Sequence, residues 1–225
     1  MIVLAIDTAT PAITAGLVAL GDGWPETLAQ RVTVNARAHG ELLTPQIQQV
    51  LAEAGVALGG LDAIVCGAGP GPFTGLRVGM VTAAAFGDAL DVPVHPVCSL
   101  DAIAADVTST EPFAVVTDAR RREVYWAAYE PAGERLDGPT VQQPAEITEA
   151  LVELGVRSIA GEGAIKYADV LGLPVVDPAY PSPRGLVVAA ATALRTGAAP
   201  APLTTLYLRR PDAMESVPRK QVSRL

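Results

Sequence analysis

Apolar and polar positions along this chain lay out one order of elements and then repeat it. Residues 2–5 form a near-continuous apolar run that passes through Ile6-Asp7-Thr8-Ala9-Thr10-Pro11 into a second run, 12–20, closed by Gly21-Asp22-Gly23. The two predict a hairpin with Asp7, Thr8 and Thr10 at its bend, and 28–34 alternates as a third strand. Within 38–55, Leu43, Ile47, Val50, Leu51 and Ala54 fall at the spacing of an amphipathic helix; Pro45 either kinks it or starts a shorter helix capped by Thr44. A buried strand at 63–66, a glycine turn, a helix at 74–90 and a short strand at 92–97 follow, with Ser99 capping a helix over 100–107. After the polar stretch Thr108-Ser-Thr-Glu-Pro112 the pattern restarts. Strands at 113–117 and 123–129 flank a turn at 118–122, Asp137-Gly-Pro139 is another turn, and a helix at 145–154 leads to a strand end at 158–161. An alanine-rich helix runs from Arg184 or Gly185 to Thr196, and Tyr207-Leu-Arg-Arg-Pro-Asp212 begins a polar, basic tail expected to be mobile. The expected fold is therefore α/β, with one domain over 1–107, a second over 108–210 and a tail at 211–225.

The most constrained stretch is Gly67-Ala-Gly-Pro-Gly-Pro-Phe-Thr-Gly-Leu-Arg-Val-Gly-Met. From it, small residues recur every fourth position, at Gly71, Gly75, Gly79, Ala83 and Gly87, so that on a helix they form a ridge with almost no side chain. Each interior glycine costs about 1 kcal/mol of helix propensity against alanine, which asks for a packing reason. Two remain open: the helix is pressed into its own domain, or the ridge is a surface for a partner. Neither nucleotide motif fits these glycines. The prolines at 70 and 72 disagree with a dinucleotide-binding Gly-x-Gly-x-x-Gly, and no lysine supplies a phosphate loop. The loop still offers backbone N–H groups at a helix start, where an anion can bind weakly.

Composition narrows the picture. Half the residues are hydrophobic but only 4% aromatic, which suits tightly packed α/β layers rich in alanine and valine. No apolar run is long enough to span a membrane, and the first residues lack the basic start of a signal peptide. Cys66 and Cys98 sit in apolar settings and read as reduced thiols of a cytoplasmic protein. The net charge of −8 means that this chain repels a polyanion overall, so contact with RNA has to be local or through a partner.

The catalytic inventory is thin. His39 and His95 lie far apart, no metal-ligand spacing occurs, and Gly-x-Ser-x-Gly is absent. Asp7, Asp118 and Glu123 stand at strand ends where a cleft between two such domains would lie. Asp7, Thr8 and Thr10 can hold phosphate or a metal-bound water, and they are equally ordinary turn formers that bond to their own backbone. Arg120-Arg121-Arg122 reads as a solvated charge run, and Gly161-Glu-Gly163 with Tyr167 could contact a nucleoside.

Ile6-Asp7-Thr8-Ala9-Thr10, Gly69-Pro-Gly-Pro-Phe-Thr-Gly-Leu-Arg-Val-Gly79, Asp118-Ala-Arg with Glu123-Val-Tyr125, and Tyr207-Leu-Arg209 together resemble the TsaB (YeaZ) family. The resemblance implies the actin-like, sugar-kinase and Hsp70 ATPase superfamily fold, with two related βββαβα domains. It implies a scaffold and activator without its own active site or metal, bound to a TsaD-type paralogue and a TsaE-type ATPase. The assembly makes threonylcarbamoyladenosine beside the anticodon of tRNAs reading codons that start with A. On that resemblance the chain has no cofactor of its own, with ATP or ADP at the subunit junction and Asp7, Thr8 and Thr10 as a vestigial phosphate loop. tRNA is reached through the complex, no membrane is involved, and the chain can form a homodimer when alone. The partner surface carried over is Leu43, Ile47 and Val50 on the first helix, with Thr74, Gly75, Arg77, Val78, Gly79, Val81 and Thr82 on the second. Gly79→Leu or Val81→Glu is then expected to abolish the complex and leave the fold intact. The alternatives are an ATP-dependent phosphotransferase or hydrolase using Asp7 and Asp118, and a metallopeptidase.

Overall fold

Both faces of the first strand are apolar because both are covered. In the computed structural model, which describes residues 1–209, the chain opens with β1 (Ile2–Asp7), β2 (Ala12–Ala19), β3 (Glu26–Val34), α1 (His39–Ala54), β4 (Ala63–Gly67), α2 (Phe73–Leu90), β5 (Val94–Val97) and α3 (Ser99–Ala104). The sheet order is β3-β2-β1-β4-β5, antiparallel through the first three strands and parallel through the last. Leu4 and Ile6 face α1 and α2, packing with Leu43, Ile47, Val50 and Leu76. Val3 and Ala5 face the other way. A strand buried on both sides has no polar face to show, hence the unbroken apolar run.

The second half repeats this plan with β6 (Phe113–Asp118), β7 (Val124–Tyr129), β8 (Arg135–Gln142), α4 (Pro144–Glu153), β9 (Ser158–Ala160), α5 (Glu162–Lys166), α6 (Ala168–Leu171) and α7 (Pro183–Thr196). Its sheet runs β8-β7-β6-β9, and Val175 bridges Ile159 in parallel where a fifth strand would lie. The two sheets divide the chain between β5 and β6, but the helices do not respect that division. Helix α7 packs Leu186, Val187, Ala190 and Leu194 against Val3, Ala5 and Val18 of the first sheet. Helix α3 sends Leu100 and Ile103 into the second-half core with Phe113, Val115 and Tyr129. The halves thus exchange helices, which ties them together with buried apolar surface.

Several local expectations change. Helix α1 begins before Pro45 and continues past it, so the proline lies inside the helix and does not start a shorter one. Glu41 and Pro45 are both exposed, so water can take the carbonyl that proline's missing N–H leaves behind. Ser99 does not cap α3; the residue before that helix is Cys98, and the Ser99 hydroxyl is used elsewhere. Asp137-Gly-Pro139 is no turn but lies inside β8, at a register shift where Gly138 takes φ +87° close to the Trp126 carbonyl. Of the expected tail, residues 207–209 are seated. Leu203 packs on the first core, Leu206 and Leu208 on the second, and the Leu206 N–H donates to the Ala68 carbonyl at 2.8 Å. Residues 211–225 lie outside the described residues.

Candidate functional site

The bend between β1 and β2 is the structural centre of the molecule. Its Asp7, Thr8 and Thr10 are all buried. Asp7 accepts from the Ala9 N–H at 2.8 Å and from the Ser99 hydroxyl at 2.5 Å, and Thr10 accepts from the Ala12 N–H at 3.2 Å. Thr8 makes the closest contact with α2: its hydroxyl donates to the Gly75 carbonyl at 2.7 Å and accepts from the Gly79 N–H at 2.9 Å. These two backbone groups lie one helical turn apart, so the hydroxyl threads alongside the helix ladder itself.

This explains the glycine ridge. A Cβ on Gly75 would stand 2.7 Å from the Thr8 carbonyl oxygen, one on Gly79 would stand 2.5 Å from the Thr8 hydroxyl, and one on Gly71 would stand 2.1 Å from the Ala9 carbonyl oxygen. The ridge therefore seats the chain's own hairpin, and of the two packing reasons left open by the sequence the internal one holds. Among the residues assigned to the partner surface, Leu43, Ile47, Val50, Gly75 and Gly79 are inside the core, because the first sheet and its bend occupy the face they line. Thr74, Arg77 and Val81 are exposed, and Val78 and Thr82 are half-buried. The polar atoms of Asp7, Thr8 and Thr10, read from the family resemblance as a vestigial phosphate loop, bond to the protein's own backbone and to Ser99, and Thr8 and Thr10 also border a pocket.

Burial raises the Asp7 carboxyl to about 6, against the hydrogen bonds from Ser99 and Ala9 and the nearby His39, which lower it. The folded chain therefore holds this proton more tightly than the unfolded chain does. The stabilising effect is complete below the ordinary carboxylate range and is lost as pH rises through about 6. Asp7→Asn is expected to remove roughly 1 kcal/mol of the stability change seen between about pH 5.5 and about pH 7.5. Glu162, raised to about 7 mainly by burial, adds a slope of the same sign, so the comparison has to be parent against D7N in denaturant melts at both pH values. Equal slopes in the two proteins would refute the assignment.

The corresponding bend in the second half is built differently. Asp118 pairs with Lys166 at 2.9 Å and accepts from the Tyr167 hydroxyl at 3.2 Å, while its N–H donates to both Glu162 oxygens. Asp7 and Asp118 therefore belong to separate partner sets. Gly161 and Gly163 press against the backbone of Val116 and Thr117, so this Gly-x-Gly serves the packing of α5 on β6 and Tyr167 orients Asp118. Arg120, Arg121 and Arg122 all take left-handed backbone, at φ 62°, 51° and 64°. Each such residue costs roughly 1–2 kcal/mol, so the bend needs closing bonds. These run from the Glu123 N–H to Arg120, from the Ala119 N–H to Glu123, and from Arg209 to the Ala119 carbonyl and the Glu123 carboxylate. The sequence marked Arg120-Arg121-Arg122 as a charge run but carried no signal that a segment some 90 positions later would lock it.

Between the two bends lies a pocket of about 300 Å³, lined by Thr10, Arg37, Pro72, Thr74, Val78 and Arg120 among others. Burial pushes the thiols of Cys66 and Cys98 up to about 12, so both are inert packing groups. Among the described residues no three His, Cys, Asp or Glu side chains come together to hold a metal, and no helix is long and apolar enough to cross a membrane.

Two sheets of this order, each opening on an antiparallel three-strand meander and sandwiched by helices, define a protein of the actin-like, sugar-kinase and Hsp70 ATPase superfamily. Residues 27–199 match the family described as TsaD: tRNA N6-adenosine threonylcarbamoyltransferase. The structure of YeaZ from Pseudomonas aeruginosa superposes with a TM-score of 0.74 at 28% identity, covering 92% of this chain and 99% of that one. An uncharacterised protein of Mycobacterium leprae is 53% identical over 94% of this chain, which spans 56% of that protein's length. The tRNA threonylcarbamoyladenosine biosynthesis protein TsaB of Haemophilus influenzae is 36% identical over 55% of this chain and 52% of its own length. The chain belongs to this family, in its TsaB (YeaZ) branch.

Proposed function

We propose that this chain is a cytoplasmic, non-catalytic scaffold that binds and activates a TsaD-type paralogue in threonylcarbamoyladenosine biosynthesis on tRNA, with a TsaE-type ATPase joining the pair. The observation that supports this reading is the use of the first bend. Its Thr8 hydroxyl seats α2 from the inside, while its Asp7 carboxylate holds Ser99 of α3, which leaves α2 with an outer face turned away from the sheet and able to meet another protein. Val81 is 65% exposed on that face, with Thr74, Ala84 and Ala85 exposed beside it and Val78 and Thr82 half-buried. An apolar helix face of this kind, rimmed by short side chains, suits close approach by a second helix. The ATP-dependent alternative would need Asp7 to face a nucleotide, and Asp7 is turned inward onto Ser99.

Val81→Glu tests the reading. It places a charge where the partner's apolar surface would desolvate it, so co-purification with the TsaD-type paralogue is expected to fall at least tenfold while the melting curve of the chain alone is unchanged. A complex that survives both V81E and Thr82→Arg puts the contact on another face.

A further inference from the structure

We propose that the pocket between the two bends seats a phosphate of an RNA strand, with the Phe73–Tyr207 ring pair beside it as a platform for a base. This rests on the reading that the chain works in tRNA modification, and it adds a direct contact where that reading allows only an indirect one. The chain carries a net charge of −8, yet Arg37 and Arg120 line this pocket and no acidic side chain among the described residues does. The two arginines come from opposite halves of the molecule: Arg37 precedes α1, and Arg120 is delivered by the left-handed bend that Arg209 and Glu123 hold shut. The neighbouring carboxylates are already neutralised, Asp118 by Lys166 and Glu123 by Arg209. The first turns of α1 and α2 both border the pocket, and their N–H groups add to the positive potential.

The aromatic pair is the second, separate observation. Phe73 directly follows Pro72 of the pocket wall and is 52% exposed, and it stacks on Tyr207, itself 47% exposed, at 5.6 Å between ring centres. The Arg77 guanidinium lies over the Phe73 ring at 3.9 Å. Exposed rings interleaved with arginine, next to a cationic pocket, are the composition of a single-strand contact.

The test uses the full chain and a labelled, unmodified transcript of a tRNA that reads codons starting with A, followed by fluorescence anisotropy across a salt series. One phosphate held by the two arginines predicts a log–log salt slope of about −0.7. The double variant Arg37→Ala with Arg120→Asn, the asparagine chosen because it tolerates left-handed backbone, is expected to bind at least tenfold more weakly and to lose most of that slope. Tyr207→Ala is expected to weaken binding about fivefold or more with the slope kept, because stacking carries little charge. Both variants are also assayed for co-purification with the TsaD-type paralogue, which is expected to persist. No binding by the parent chain overturns the proposal, as does equal binding by the double variant. Loss of the paralogue in place of the RNA would make the pocket a protein contact, and displacement of the transcript by ADP would make it a nucleotide pocket; either result overturns the RNA seat and leaves the scaffold reading standing.

Discussion

Gly79→Leu is expected to leave this chain largely unfolded, which reverses the expectation drawn from the sequence that it would spare the fold. A Cβ at this position would lie 2.5 Å from the Thr8 hydroxyl, which itself bridges the Gly75 carbonyl and the Gly79 N–H. Thr8 is buried and has no direction in which to retreat, so α2 must move off the bend or the bend must open. Opening it strips two buried hydrogen bonds, each worth about 1 kcal/mol when made and about 1–3 kcal/mol when a group is left unsatisfied. Overpacking adds roughly 1–3 kcal/mol for the bulk of the leucine. Gly79→Ala would recover about 1 kcal/mol of helix propensity and still be destabilised by about 2 kcal/mol. Against the roughly 5–15 kcal/mol typical of a whole domain, these costs together reach about 9 kcal/mol at their upper end, enough to unfold a domain of ordinary stability. Circular dichroism and thermal melts of G79L beside V81E decide the matter: the first should lose cooperative melting and the second should keep it. A G79L protein melting with the parent would mean that the ridge does not seat the hairpin.

Gly185→Val is expected to have the next largest effect, because it breaks the exchange of helices that joins the halves. A Cβ here would stand 2.1 Å from the Ala102 carbonyl oxygen of α3 and 2.9 Å from the Asp106 carboxylate. That carboxylate holds Ser182 and Arg184 at the start of α7, and the Ser182 hydroxyl accepts from the Gly185 N–H at 2.9 Å. Displacing the first turn of α7 lifts Leu186 and Val187 away from the first sheet. We expect a loss of about 3 kcal/mol or more, from overpacking together with lost burial. Arg184→Ala serves as the control: its ion pair with Asp106 is partly exposed, and its removal should cost under about 1 kcal/mol. Denaturant titration followed by tryptophan fluorescence reads both, and coincident midpoints for G185V and the parent would show that the α3–α7 crossing is loose.

The sheets were legible in the sequence because their signal is local. Runs such as Ile2-Val-Leu-Ala-Ile6 and Phe113-Ala-Val-Val116 are apolar on both faces, and the turns around them are marked by glycine, proline and aspartate. The site was less legible. Ser99 looked like a helix cap because serine favours that place, but its hydroxyl is claimed by Asp7, 92 residues away. Likewise, Leu43, Ile47 and Val50 carry the same amphipathic spacing whether the apolar stripe meets the chain's own sheet or a partner, and spacing cannot tell which.

By itself, then, the amino-acid order determined the two repeated α/β patterns, the acidic charge and the presence of a bare helical ridge, all of which can be read without knowing which distant segments meet. Only the tertiary structure decided what the ridge is for, that α3 and α7 trade places between the halves, and that Arg37 and Arg120 meet over one pocket. Those outcomes depend on which distant segments share a given ångström of space. Close packing at Gly75, Gly79 and Gly185 settles that competition, and no local period records the winner.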